Sequence, residues 1–130
     1  MGKEKVKLGS EKMIESYKDL EVYQTSYMLA LKIHQMTQKF PRHETYEIGS
    51  QIRRASISIP LNIAEGYGKK KSSKDFKRFL SMSLGSCNEM QVLLDFIKDL
   101  HYINENQYSI LYEKYTVLGK RIYTLMEKWQ

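Results

Sequence analysis

The chain has 130 residues, 42% of them hydrophobic and 28% charged, with only two prolines and seven glycines. That length suits one domain with one modest core, and so little proline and glycine argues against a loop-rich all-β fold and for long helices. Twenty-one basic against fifteen acidic side chains leave a net charge of +6, which favours polyanionic partners but says nothing about fold.

Residues 1–17 read as a flexible polar tail in which Met13, Ile14 and Tyr17 could dock, and residues 18–130 as a four-helix bundle. The tail lacks the apolar core of a signal peptide, and no apolar run reaches the length of a bilayer. A cytoplasmic location without a membrane partner is therefore expected. The first helix is predicted to start after Asp19 as N-cap and to end near Phe40, because Pro41 cannot continue it. Val22, Leu29, Ile33, Met36 and Phe40 share its core face. A second line of Leu20, Tyr23, Tyr27 and Ala30 lies about 100° round the helix. That surplus face fits a subunit interface or a broad core stripe equally well.

The second helix begins between Glu44 and Glu47, and Ile48, Ile52, Ala55, Ile59 and Ile63 keep its period. Ala55 to Ile59 also alternates as a strand would, but helical signals on both sides decide for helix. Pro60 removes the hydrogen bond to the Ser56 carbonyl, at about 3 kcal/mol in a helix interior, and disfavours helical geometry at Ile59. A kink or short break is expected there. Gly66 and Gly68 supply the stop.

Ser72 and Asp75 look like a capping box opening the third helix, which runs to about Leu100 with Phe76, Phe79, Leu80, Met90, Leu94 and Ile97 inward. Its small middle residues, Ser83, Gly85, Ser86 and Cys87, would let a neighbour approach closely. Asn104 and Gln107 repeat the capping-box pattern before the fourth helix. Its seam of Tyr108, Leu111, Tyr115, Leu118, Ile122, Leu125 and Trp129 alternates spacings of three and four. The predicted fold is all-α: an antiparallel up-down-up-down four-helix bundle with a Pro-kinked second helix.

Catalytic chemistry finds no support. His34, His43 and His101 are scattered without metal-ligand spacing, and the lone Cys87 can form neither an intramolecular disulfide nor a thiolate cluster. Phosphate loops and nucleophile elbows are missing as well. The expectation is a non-enzyme with no catalytic residue, metal or cofactor.

Two polar groupings stand out. Gln51, Arg54, Ser58, Asn62 and Glu65 recur along one face of the second helix, beside Arg53. With Glu89 of the third helix all but Gln51 form an expected structural polar cluster, with Arg54 and Asn62 turned inward to serve carbonyls freed by Pro60 and with Glu65 or Glu89 as counter-charge. A ligand or nucleic-acid role for the same residues is the second reading. The other grouping is Lys69, Lys70, Lys71, Lys74, Lys77 and Arg78, opposed only by Asp75. These cations form a candidate nucleic-acid-binding patch, because lysines attract phosphate without reading sequence. For one subunit the bland reading is a solubilising loop.

The run from Arg53-Arg54 through Ala55-Ser56-Ile57-Ser58-Ile59-Pro60-Leu61-Asn62-Ile63-Ala64 to Glu65-Gly66 resembles the signature of a bacterial family of four-helix-bundle proteins. That family was first noticed in reading frames inside intervening sequences of large-subunit ribosomal RNA genes. Asp19-Leu20 with Tyr23-Gln24, Phe40-Pro41, and Phe79-Leu80 with Gly85-Ser86 and Glu89 extend the likeness beyond the tail. The resemblance implies a left-handed antiparallel bundle that assembles into a homopentamer. It also implies a fold similar to the accessory proteins of diversity-generating retroelements, basic pentamers that bind nucleic acid and a reverse transcriptase. The functional expectation is an oligomer that binds RNA or DNA through its basic turns. The alternative is an adaptor whose oligomer recruits a partner protein.

Overall fold

A computed structural model describes residues 6–8 and 12–130 and contains four long helices. Val6–Leu8 (β1) pairs antiparallel with Lys12–Ile14 (β2), a short ladder inside the stretch read as a polar tail. Residues 1–5 and 9–11 of that tail lie outside the described residues. Ile14 is buried and Tyr17 half-buried, so these two join the core, while Met13 stays exposed.

Asp19 does not cap the first long helix. Its carboxylate accepts from the Ser16 backbone N–H at 3.2 Å and closes a capping box on a 3₁₀ turn at Tyr17–Asp19. Helix α1, Glu21–Thr37, starts one residue later with Leu20 as N-cap. Sequence reasoning missed a one-turn helix, α2 (Arg42–Thr45), that follows Pro41. Proline suits the position before a first turn because its φ is already set there. Helix α3, Ile48–Tyr67, runs unbroken through Pro60, so the expected break is not there. Side chains bond to carbonyls in the turn before the proline, but among the described residues none reaches the Ser56 carbonyl, which the proline leaves without its helical donor. Ser58 donates to the Ala55 carbonyl (2.7 Å), Asn62 to that of Ser58 (2.8 Å) and Ser83 to that of Ile59 (3.0 Å).

Helix α4, Ser73–Asp99, opens on Ser72, whose hydroxyl accepts from the Asp75 N–H. The reciprocal bond from Asp75 is not made, so only half of that capping box forms. Helix α5, Glu105–Lys128, has the full box at Asn104 and Gln107. Between them the chain turns at His101, whose φ of 67° lies in the left-handed region. The Tyr102 and His101 N–H groups close back on the Ile97 and Lys98 carbonyls, the pattern of a helix stop usually made with glycine.

Contacts along neighbouring helices run in opposite senses. On α3 and α4, Gly66 meets Phe79, Ser58 meets Ser86, and Arg54 shares a groove with Glu89 and Phe96. On α4 and α5, Phe76 meets Trp129, Gln91 reaches Thr116, and Asp95 reaches Tyr108. Thr37 near the end of α1 meets Arg53 near the start of α3, while Tyr23 faces Ala64 across a groove. Ile33, Ile52, Ile59, Ile63, Leu80, Leu94, Leu118 and Ile122 are fully buried between the helices. Burying each such side chain contributes about 1.5–3 kcal/mol before entropy is counted.

The small middle of α4 divides in two. Ser83 and Cys87 are buried against α3 and α5, but Gly85 faces outward, with nothing within 4 Å of where a Cβ would stand. At Gly66, by contrast, a Cβ would come within 2.6 Å of the Phe79 Cβ. Gly85→Ala should therefore stabilise the fold by about 0.5–1 kcal/mol, the helix-propensity gain. Gly66→Ala should destabilise it by about 1–3 kcal/mol through overpacking. Urea unfolding of the two variants checks both signs.

Candidate nucleic-acid interface

The basic residues converge on the turn joining α3 to α4. The Gly68, Lys69 and Lys70 N–H groups fold back on the Ala64, Gly66 and Tyr67 carbonyls, closing the chain tightly after the helix. Close approach at Gly66 seats Phe79 and Phe76 beneath this turn, and Trp129 from the end of α5 packs edge-on to Phe76 at 4.6 Å. Cations lie over the rings. Lys69 Nζ is 5.6 Å and Arg78 Cζ 4.6 Å from the centre of Phe79, and Lys70 Nζ is 4.5 Å from that of Tyr67. Such contacts contribute about 0.5–1 kcal/mol at exposed sites and hold otherwise floppy stems in place.

Phe79 and Tyr67 are themselves buried, so they anchor the cations and are not free to stack on a ligand. Lys69, Lys71, Lys74 and Arg78 are exposed, while Lys70 and Lys77 are half-buried. Among the described residues, Lys69, Lys71, Lys74, Lys77 and Arg78 have no carboxylate within ion-pairing distance. The six cations predicted from sequence are thus brought to one end of the bundle, with most of their charge facing solvent.

The expected polar cluster separates into pieces. Arg53, not Arg54, is the arginine that turns inward: it donates to Thr37 Oγ1 at 3.0 Å and to the Thr45 carbonyl at 2.9 Å. Arg54 is exposed and donates only to Ser50 one turn earlier. Glu65 and Glu89 are exposed too, so neither supplies a buried counter-charge. The reason is geometric. One residue step rotates a helical side chain by about 100°, and α2 folds back to offer its terminal carbonyl to position 53. Ser58 and Asn62 do sit between helices, with Ser58 Oγ 2.6 Å from Ser86 Oγ. Their partners are hydroxyls and carbonyls, and no charge is needed.

Other reactive groups are sealed or isolated. Burial pushes the Cys87 thiol up to about 12, which keeps it protonated and unreactive near neutrality. Burial likewise raises the neighbouring Tyr115 hydroxyl. His34 Nδ1 lies 3.0 Å from the Ala30 carbonyl, while His43 and His101 are exposed at other places. No group of three His, Cys, Asp or Glu side chains suited to a metal occurs among the described residues. Nor is any helix among them long and apolar enough to cross a membrane.

Residues 18–124 match the family described as 23S rRNA-intervening sequence protein. The chain belongs to that family. Its fold is also similar to the crystal structure of a protein with unknown function from the S23 ribosomal protein family of Bacteroides thetaiotaomicron. The two superpose with a TM-score of 0.75 at 24% identity, over 82% of this chain and 96% of the other. No curated protein matches the chain. The family match spans the first three long helices, including the run from Arg53 to Gly66, and most of the fourth.

Sequence reasoning missed the groove between α1 and α3, lined by Tyr17, Tyr23, Tyr27 and His34 on one side and Leu61 and Ala64 on the other. Its signal was the surplus line of Tyr23 and Tyr27 on α1. The matching line on α3 (Ile57, Leu61, Ala64) lies outside the core stripe. The two arginines give a direct test of the geometry. Arg53→Ala should cost about 1.5–3 kcal/mol, since it removes charge-assisted bonds to partly buried acceptors. Arg54→Ala should stay within about 0.5 kcal/mol of the parent, as exposed substitutions do. Thermal melts of both variants decide it.

Proposed function

We propose that this protein is a non-enzymatic, self-associating helical bundle that binds RNA through the basic turn between α3 and α4. One observation carries the reading: Lys69, Lys71, Lys74, Lys77 and Arg78 gather at one end without neutralising partners among the described residues, and aromatic rings brace Lys69 and Arg78. Unpaired cations held near one another form a site for phosphate, and assembly into a pentamer would repeat that field around a ring. The family description, which names an intervening sequence of 23S rRNA, supports RNA over other polyanions. A buried, protonated cysteine fits a reducing cytoplasm.

Salt dependence tests this. Binding of a structured RNA should weaken steeply with salt, with a log–log slope of about −0.7 to −0.9 per phosphate contact. Changing Lys69, Lys70 and Lys71 together to Glu should make the slope shallower by roughly one unit for each phosphate no longer held. No RNA or DNA binding at low salt would sink the reading.

An exposed apolar stripe supports the self-association half and, alternatively, an adaptor role. Val92 and Phe96 stand one turn apart on α4 and Leu100 follows at its C-cap, each about half exposed. An uncovered stripe of this kind marks a contact surface. If it joins copies of this chain, Phe96→Ser should lower the mass seen by light scattering while leaving helicity intact. A parent protein that is already monomeric would leave the stripe free for a partner protein and favour the adaptor.

A further inference from the structure

The groove between α1 and α3 has a volume of about 380 Å³, and among the described residues no carboxylate lines it. Its wall on the α1 side is a run of tyrosine rings. Tyr17 stands edge-on to Tyr23 at 4.9 Å, and Tyr23 is tilted by 35° to Tyr27 at 5.9 Å. The facing wall is apolar: Leu61 is 61% exposed, and Tyr27 at the mouth is 48% exposed. Polar atoms remain available inside. None of the three tyrosine hydroxyls is hydrogen-bonded to another described residue. His34 offers its second ring nitrogen, because a carbonyl only accepts and Nδ1 must therefore carry the proton shared with Ala30.

The groove and the basic turn adjoin. Ala64 on the groove wall is three residues, or about 4.5 Å of helix rise, from Tyr67, whose ring lies under Lys70. A strand whose phosphates lie on the turn thus has the groove within reach along α3. The rings beneath the lysines are buried, so stacking at this end of the molecule is left to the tyrosine run. A second groove, between α3 and α4, is lined by Glu44, Glu47 and Glu89 against the single cation Arg54, a negative balance that would repel a phosphate backbone.

We propose that the α1–α3 groove receives an unpaired nucleobase of a single-stranded RNA whose phosphates lie on the basic turn, an inference that rests on the RNA-binding reading above. A positive track beside an aromatic, partly apolar surface is the recognition mode for single strands, since every base has a π-face. Bases within a duplex are paired and stacked on each other and cannot enter. The site thus distinguishes unpaired from paired RNA, while the lysines hold both.

The experiment measures fluorescence anisotropy with two probes, a labelled oligouridine and a labelled RNA hairpin stem without unpaired ends, on the full chain. Tyr27→Ala should weaken oligouridine binding about ten-fold, the loss of one stacked base, and leave stem binding unchanged. Tyr27→Phe should restore the affinity, because a ring is kept. The triple lysine change should weaken both probes. Unchanged oligouridine binding in Tyr27→Ala, with lysine-dependent binding of both probes intact, would overturn the groove assignment and leave the RNA reading standing. Failure of the parent protein to bind either probe would overturn both. A fall in subunit count on Tyr27→Ala, seen by light scattering, would show a second copy in the groove and overturn the assignment as well.

Discussion

At Gly66 the backbone of α3 comes so close to α4 that the side chain of Phe79 occupies the space where a β-carbon would stand. This contact fixes the separation of the two helices at the end where their connection must close. It also decides what lies beneath the turn. With Phe79, Phe76 and Tyr67 drawn inward there, Lys69, Lys70 and Arg78 rest on ring faces, and Lys69 and Arg78 remain exposed to water. A wider spacing would leave the same lysines on a loose loop. The charge would be present but spread over many conformations, and each contact with a phosphate would cost more ordering entropy.

The middle of α3 depends on a different interaction. A buried proline inside a helix withholds one N–H from the ladder, and unmet carbonyls in an interior are costly. The carbonyl that loses its donor is that of Ser56, and hydroxyl and amide side chains bond to its neighbours instead: Ser58 to the Ala55 carbonyl, Asn62 to that of Ser58, and Ser83 of α4 to that of Ile59. The polar residues that make this stretch conspicuous are thus largely architectural. Ser83 ties α4 to the backbone of α3, and the Ser58–Ser86 contact does the same through side chains. Specific hydrogen bonds of this sort fix the axial register of two helices, which apolar packing alone leaves free to slide.

Surface chemistry divides the molecule. The α3–α4 turn is basic, while the opposite end of the same helix pair carries Glu44, Glu47 and Glu89 around Phe96. Apolar residues stay uncovered on α4, and a tyrosine-lined groove opens between α1 and α3. The described surface therefore carries a basic, a tyrosine-lined and an apolar face, each in a different place. The interior has no comparable site among the described residues, since its thiol is held protonated by burial and its hydroxyls mostly bond to backbone carbonyls.

By itself the sequence determined the number and type of long helices, the core stripe on each and the caps at Ser72 and Asn104. Periodicity and capping are local, read over a few turns of one helix, so no distant residue can overrule them easily. It also determined that the cations of residues 69–78 would share one turn, because they are neighbours along the chain. The tertiary structure alone decided which of the adjacent arginines is held inside. Position 53 finds the Thr45 carbonyl only because α2 folds back, and α2 is a single turn too short to carry a periodic signal. The same holds for the cap at Leu20, displaced when Asp19 closed an earlier turn, and for the tyrosine groove, whose two walls lie about thirty residues apart along the chain. These features arise where separate segments meet, and one-dimensional patterning records each segment without recording the meeting.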